Sequence, residues 1–184
     1  MTRSTRGWRN TSGPTTPTGA SPRTPWPTPS TSGRRTVSEA VEELAVPKVR
    51  ADDVAPNRRR GGDIRVVLSP KTVASTSGFM GTLTLAPGEF VAEHYHPYSE
   101  EFIFVVRGRL TARLGTQVTE LVAGEGLMVP KEVPHRVWND GDEEVHAVFH
   151  LSPLAPRPDL GHVDTEPLPN PGVGQAVPDV GGPA

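Results

Sequence analysis

Between residues 64 and 151, apolar and polar residues alternate with a period of two, in short runs. Successive side chains of a β-strand point to opposite faces, so this alternation predicts strands with one buried face. Segments rich in Gly, Pro and Asp separate the runs, as is typical of turns. Short strands at such regular spacing favour a sandwich or barrel, and we predict an all-β fold. The predicted strands are 64–68, 79–85, 90–96, 101–106, 109–114, 118–122, 127–129, 135–138 and 145–151.

The segments on either side of the β domain (63–166) have a different composition. Residues 1–35 are rich in Arg, Pro, Ser and Thr and contain no acidic residue, so we predict a disordered basic tail. Residues 36–62 are predicted to form a short helix (37–46) followed by a linker, because Thr36 and Glu39 form a capping box at the helix start. Residues 167–184 are predicted to be a second tail, rich in Pro and Gly.

Charge and cysteine content exclude several classes of protein. The net charge of -2 gives no overall attraction for nucleic acid or a membrane surface. No apolar run approaches the ~20 residues needed to span a bilayer, so no membrane association is expected. The absence of cysteine excludes disulfides and thiolate metal sites and agrees with a cytoplasmic location.

Two histidines lie one residue apart in a predicted strand, so both side chains point to the same face. These are His94 and His96, with Glu101 five positions after the second and His135 downstream. Imidazole nitrogens with a carboxylate oxygen suit zinc, iron(II), manganese or nickel. Glu100 competes with Glu101 for the role of carboxylate ligand, and the residues by themselves leave both open.

The spacing around these residues resembles the two conserved motifs of the cupins. The first motif is matched by Gly88, His94, His96, Glu101 and Gly108. The second is matched by Gly124, Pro130, His135 and Asn139. The resemblance implies a single jelly-roll barrel, or double-stranded β-helix, with a divalent metal ion held by His94, His96, Glu101 and His135. One position departs, because Glu132 stands where the motif usually has glycine. Since glutamate resists the positive φ that glycine permits, we expect the turn before His135 to differ.

A narrower resemblance covers about residues 63–166. It rests on the segments 69–73, 77–81, 94–101 and 153–166. These resemble the cupins encoded beside type II polyketide synthases, including the resistomycin and tetracenomycin cyclases and the spore-pigment and curamycin cluster cupins. The resemblance implies cyclisation of an aromatic polyketide and favours zinc as the metal. It also implies a small-molecule polyketide substrate, with an acyl carrier protein as a further partner. A homodimer is expected, because small cupin barrels commonly pair and the predicted helix has an apolar stripe.

Further side chains are candidates for catalysis or binding. His146, His150 and Tyr95 are weak candidates for a catalytic base, and Tyr98 is a candidate for a supporting role. Both histidines are expected to point outward, because the apolar residues that alternate with them form the better core face. His162, in a Pro-rich segment, is expected to be structural or idle.

Two more features have competing interpretations. Arg107, Arg109 and Arg113 form a row that suits an acidic carrier protein, although such rows more often lie on a solvated strand face. Trp138 suits either an aromatic-binding cavity or the core.

Three functions fit this pattern. The first is a metal-dependent polyketide cyclase that promotes intramolecular aldol closure of a poly-β-ketone. The second is a cupin oxygenase in which iron(II) at the same ligands activates dioxygen toward a phenol or quinol. The third is a small-molecule-binding cupin without catalysis, which is disfavoured because a sensor needs an output domain and residues 1–35 contain no helix-turn-helix pattern.

Overall fold

The computed structural model of the chain describes residues 46–174. The predicted tail 1–35, and the predicted helix apart from its last residue, lie outside this range. Within it, no helix is long and apolar enough to cross a membrane.

Ten β-strands and one short α-helix make up the described part of the chain. The strands are β1 (Asp63–Leu68), β2 (Phe79–Leu85), β3 (Phe90–Tyr95), β4 (Glu100–Arg107), β5 (Arg109–Leu114), β6 (Gln117–Val122), β7 (Gly126–Val129), β8 (His135–Trp138), β9 (Val145–Ser152) and β10 (Val163–Asp164). The helix α1 (Pro70–Val73) and two 3-10 turns, Ala51–Asp53 and Pro158–Leu160, lie between strands or before them. All nine predicted strands are present, and β10 is additional.

The strands form two antiparallel five-stranded sheets. Their orders are β1-β2-β9-β4-β7 and β10-β3-β8-β5-β6. Alternate residues of both sheets meet in one core, where Leu85 and Leu110 are completely buried. Each such leucine contributes about 1.5–3 kcal/mol relative to an exposed one. The structure confirms the predicted all-β jelly roll.

The segment predicted as a linker packs against the barrel from residue 57 onward. Asn57 forms an isolated bridge with Ile64 at the start of β1. The carbonyl of Arg60 accepts a hydrogen bond of 2.8 Å from the N–H of Ala92 in β3. Gly61 has a φ of +95°, and a Cβ there would lie 2.1 Å from the carbonyl oxygen of Phe90. Only glycine therefore allows the chain to pass this close to β3.

The chain after β9 returns along β3. Val163 and Asp164 of β10 pair with Tyr95 and His94. Farther on, the predicted C-terminal tail begins with ordered contacts, since Arg59 donates a hydrogen bond to the carbonyl of Pro171. The segments before β1 and after β9 thus meet at the same edge of the barrel.

Candidate metal centre

Three strands bring four polar side chains to one buried position. His94 in β3 lies directly opposite His135 in β8, and His96 follows two residues after His94. Glu101, at the start of β4, approaches from the other sheet. The ligand atoms of the four residues all lie within 4.8 Å of one another.

A backbone carbonyl orients each of the three imidazole rings. The Nδ1 atom lies 2.8 Å from Ala92 O in His94, 3.0 Å from Val133 O in His135 and 2.8 Å from Gly161 O in His96. A carbonyl oxygen only accepts hydrogen bonds, so each Nδ1 must carry the proton. In the neutral ring, Nε2 then presents a lone pair toward the shared position. This is the arrangement that orients histidines around a metal ion.

The atoms that converge at the centre have no hydrogen-bond partner. Glu101 Oε2 lies 2.9 Å from His135 Nε2 and 3.2 Å from His96 Nε2. These contacts lack hydrogen-bond geometry, and among the described residues all three atoms are buried without a partner. Leaving buried polar atoms unpaired costs about 1–3 kcal/mol each. A divalent cation coordinated by these atoms would remove that cost, so the donor set fits a metal ion.

The electrostatics of the cluster also indicate a requirement for positive charge. Burial, together with His135 and His96, holds the pKa of His94 well below its usual value. Burial would raise the pKa of Glu101, but the close contacts with His135 and His96 and their positive charge outweigh it and hold that pKa well below its usual range. For His135, burial opposes the effect of Glu101, which prevails and raises the pKa. An ionised carboxylate buried among imidazoles therefore draws either a proton or a cation to this position.

The turn that leads to His135 keeps the conformation usual for a glycine. Glu132 has a φ of 62°, in the left-handed region, and its N–H donates a 3.0 Å hydrogen bond to the carbonyl of His96. The prediction that the turn would differ because of the glutamate is therefore wrong. Anchoring to His96 holds the turn in place despite the unfavourable backbone angle.

The four residues of the cluster line an apolar cavity of about 110 Å³. The apolar wall comes mainly from the sheet that contains β1, β2, β4 and β9. Its lining includes Ile64, Val66, Phe79, Leu83, Ile103, Ala147, Phe149 and Leu151. Besides the four cluster residues, the polar side chains lining the cavity are Asn57, Arg60 and His162.

The structure separates the two carboxylates that the sequence left open. Glu101 belongs to the buried cluster. Glu100 is half-buried and points away from it, since adjacent residues of a strand face opposite sides.

The weak catalytic candidates lie outside the cavity. His146 is half-buried, with Nδ1 3.2 Å from the hydroxyl of Thr84, and His150 is exposed on the outer face of β9, as expected from the alternation. Tyr95 lies on the opposite face of β3 from the histidines, and Tyr98 is exposed. The geometry therefore does not place these side chains at the cavity.

The predicted arginine row and Trp138 also lie outside the cavity. Arg107, Arg109 and Arg113 each approach a carboxylate of the same chain: Glu144, Glu120 and Glu93 respectively. These pairs agree with a solvated strand face.

Sequence reasoning assigned no role in the cavity to three polar residues that line it, Asn57, Arg60 and His162. Arg60 was grouped with a linker, although the Gly61-Gly62 pair that follows it is a signal of close backbone approach. His162 lines the cavity, and burial followed by the charge of Arg60 lowers its pKa to about 4. Its imidazole is therefore neutral at pH 7.

Comparison with known proteins agrees with this geometry. The family model of the cupin domain matches residues 81–151. Protein SchB of Streptomyces halstedii is 58% identical over 118 residues, which cover 64% of this chain and 86% of SchB. The tetracenomycin polyketide synthase protein TcmJ of Streptomyces glaucescens is 45% identical over 150 residues, covering 82% of this chain and 95% of TcmJ.

A solved structure supports the fold alone. A Klebsiella pneumoniae protein with a double-stranded beta-helix domain superposes with a TM-score of 0.52 at 22% identity. The match covers 64% of this chain and 96% of that protein.

Proposed function

The chain belongs to the cupin family, and we propose that it is a metal-dependent cyclase of aromatic polyketide biosynthesis. The observation that carries the metal dependence is the cluster of three carbonyl-oriented imidazoles and one carboxylate with unpartnered atoms. The similarity to TcmJ, a tetracenomycin polyketide synthase protein, supports an aromatic polyketide as the substrate class.

His94, His96, Glu101 and His135 would hold a divalent cation, with zinc favoured over iron(II), manganese or nickel. An ion held there would supply Lewis-acid chemistry, which would polarise a ketone oxygen and favour loss of a proton from the neighbouring methylene. In an intramolecular aldol closure, one C–C bond would form between that carbon and a second carbonyl carbon, the C=O π bond would open, and the proton lost by the methylene would be balanced by the proton that this second carbonyl oxygen takes up. No oxidant or reductant is needed.

The cavity supplies orientation and excludes water. Apolar side chains such as Phe79 and Phe149, whose rings meet edge to face, leave few hydrogen-bonding groups for water to bind. Holding two parts of one flexible chain together favours a single ring closure over its competitors. At about 110 Å³ the cavity is smaller than the ~300–1,000 Å³ usual for ligand pockets, so it accommodates the reacting portion of a polyketide rather than the whole chain.

The test begins with metal content. Purified full-length protein, prepared without chelator, should carry about one ion per chain, and His135→Ala and Glu101→Gln should lose it. Glu100→Gln is the matched control, because the neighbouring carboxylate lies outside the cluster and should not affect occupancy. Chelation should lower the thermal stability of wild type by about 2.7 kcal/mol where the free ion exceeds Kd a hundredfold. Wild type without stoichiometric metal, and with melting unchanged by chelator, would contradict the proposal.

Turnover distinguishes the cyclase from its alternatives. Poly-β-ketones released by a minimal polyketide synthase should give one dominant ring pattern with wild type and a mixture with His135→Ala. Bound iron with substrate-dependent oxygen uptake would instead indicate the oxygenase. Ligand binding without any change in product distribution would indicate a binding protein.

A further inference from the structure

Arg60 is a buried cation that faces the same cavity as the metal cluster. Only 7% of its surface is exposed, and it lines the cavity together with His94 and His96. Its Nε donates a 2.6 Å hydrogen bond to Asp164 of β10. Neither terminal nitrogen of the guanidinium hydrogen-bonds to any residue between 46 and 174.

This leaves most of the donors of Arg60 available to a ligand. A guanidinium carries five N–H groups and stays protonated in proteins. Burying a charge costs several kcal/mol unless it is paired and its hydrogen bonds are satisfied. Asp164 satisfies the Nε of the group, and Arg60 lines a cavity whose walls are otherwise largely apolar.

The backbone fixes Arg60 relative to the metal ligands. Its carbonyl accepts a hydrogen bond from Ala92 N, while Ala92 O orients the ring of His94. On the other side, Asp164 pairs in register with His94, so both contacts of Arg60 lead to that ligand strand. The close approach of Gly61 to Phe90 holds this connection in place.

We propose that Arg60 binds a planar pair of oxygen atoms, either a carboxylate or the enolate of a 1,3-diketone, on a ligand that also reaches the metal cluster. The terminal edge of a guanidinium matches two coplanar oxygens and forms bidentate, charge-assisted hydrogen bonds. A 1,3-diketone enolate has the same charge spread over two coplanar oxygens, and a poly-β-ketone contains this unit repeatedly. This choice of ligand rests on the proposed function, whereas the binding of an anion by Arg60 does not.

Within the described part of the chain, the other polar residues that line the cavity leave Arg60 as the one permanent cation that an anionic ligand can contact. His162 is neutral at pH 7, so it adds no second positive charge that would bind an anion elsewhere in the cavity. Asn57 already accepts a 3.1 Å hydrogen bond from Arg59 N through its side-chain oxygen. Arg60 is therefore the one permanently charged cation among the described residues that line the cavity.

Comparing Arg60→Gln with Asp164→Asn distinguishes ligand binding by Arg60 from a purely structural role. If Arg60 only ties β10 to the barrel, Arg60→Gln and Asp164→Asn break the same ion pair and have the same effects. If Arg60 binds ligand, Arg60→Gln removes the binding group, whereas Asp164→Asn leaves it in the cavity.

The experiment measures the affinity of zinc-loaded, full-length protein for three probes by calorimetry. The probes are 2-naphthoate, its neutral isostere 2-naphthamide and 1-phenylbutane-1,3-dione. Wild type should bind the carboxylate about 10–100-fold more tightly than the amide, the range expected for hydrogen bonds to a charged group. Arg60→Gln should lose this preference, Arg60→Lys should keep part of it and Asp164→Asn should retain it. The dione shows whether a β-keto unit, rather than a free acid, is the ligand.

The outcomes separate this proposal from the metal proposal. Equal affinity of wild type for naphthoate and naphthamide would overturn it, even if Arg60→Gln failed to fold. Equal losses in Arg60→Gln and Asp164→Asn, or a preference retained in Arg60→Gln, would also overturn it. Zinc retained after loading is measured on the same samples, so a protein that retains no zinc but still shows Arg60-dependent anion binding refutes the metal-dependent cyclase proposal and supports this one.

Discussion

Replacing Glu132 by glycine should stabilise the protein without altering the metal centre. Glu132 is exposed, and its φ of 62° lies where a side chain is unfavourable. Its contribution to the turn is a backbone hydrogen bond, N–H to His96 O, which glycine would keep. The substitution therefore removes a backbone cost and leaves the contact that positions the turn.

Two opposing effects set the size of the change. A left-handed conformation costs a non-glycine residue roughly 1–2 kcal/mol. The entropic cost of glycine offsets about 0.5–1 kcal/mol of the strain that is removed, because glycine loses more conformational entropy on folding than glutamate does. The difference is a net gain of at most about 1.5 kcal/mol and of about 0.75 kcal/mol at the midpoints, which for a domain of this size corresponds to roughly 1.5–3 °C in melting temperature.

Thermal unfolding of the metal-loaded protein tests this prediction, with Lys131→Gly as the matched control. Lys131 is also exposed and precedes Glu132, but its φ is not positive, so glycine there should destabilise the fold by about 0.5–1 kcal/mol. The two variants should shift the melting temperature in opposite directions. If both lower it equally, the reasoning from backbone strain is refuted.

Three further predictions follow from the placement of other side chains. His146→Ala and His150→Ala should leave turnover within about twofold of wild type, because both lie outside the cavity; a loss beyond tenfold in cyclisation assays would restore them as candidates. The protein should be a homodimer by light scattering, because the outer face of β4 exposes Phe104 and other large apolar side chains. Phe104→Asp should make the protein monomeric, and a monomeric wild type would contradict the prediction. Asp63→Asn should lower the melting temperature at pH 7, because hydrogen bonding from Arg65 lowers the pKa of Asp63. That stabilisation is present above the unfolded pKa of about 3.9 and is lost as the pH falls through the lower pKa of the folded state. The difference in melting temperature between wild type and Asp63→Asn should therefore narrow in acid, and a difference that stays constant with pH refutes the prediction.

Local patterns predicted the strands and the cluster well. Alternation and turn residues act over a few positions, so each predicted strand is within a residue or so of its observed ends. The spacing of His94, His96 and His135 also predicted side chains that now lie within one cluster. The residues alone leave Glu100 and Glu101 open, but the motif spacing to Gly108 favours Glu101, and the structure places Glu101 in the cluster.

Long-range contacts were the part that sequence patterns could not supply. Arg60 and Asp164 are separated by 104 positions, and nothing in the residues around either one indicates the other. The two-residue strand β10 is too short for alternation to be visible, and its pairing with β3 also brings His162 to the cavity. At Glu132, intrinsic backbone preference suggested a changed turn, but the hydrogen bond to His96 prevailed.

The carbonyls that orient the three histidines differ in when they become available during synthesis. Ala92 and Val133 each precede by two residues the histidine that they orient, whereas Gly161 comes 65 residues after His96. A chain made from its N-terminus can therefore fix two rings as soon as their own strands form. The third ring is fixed only after residue 161 has left the ribosome, when all four ligands and the strands that hold them are already made. We therefore expect the nascent barrel to pass through a stage with two oriented imidazoles and one free to rotate, and to reach full metal affinity only when the chain after β9 folds back along β3.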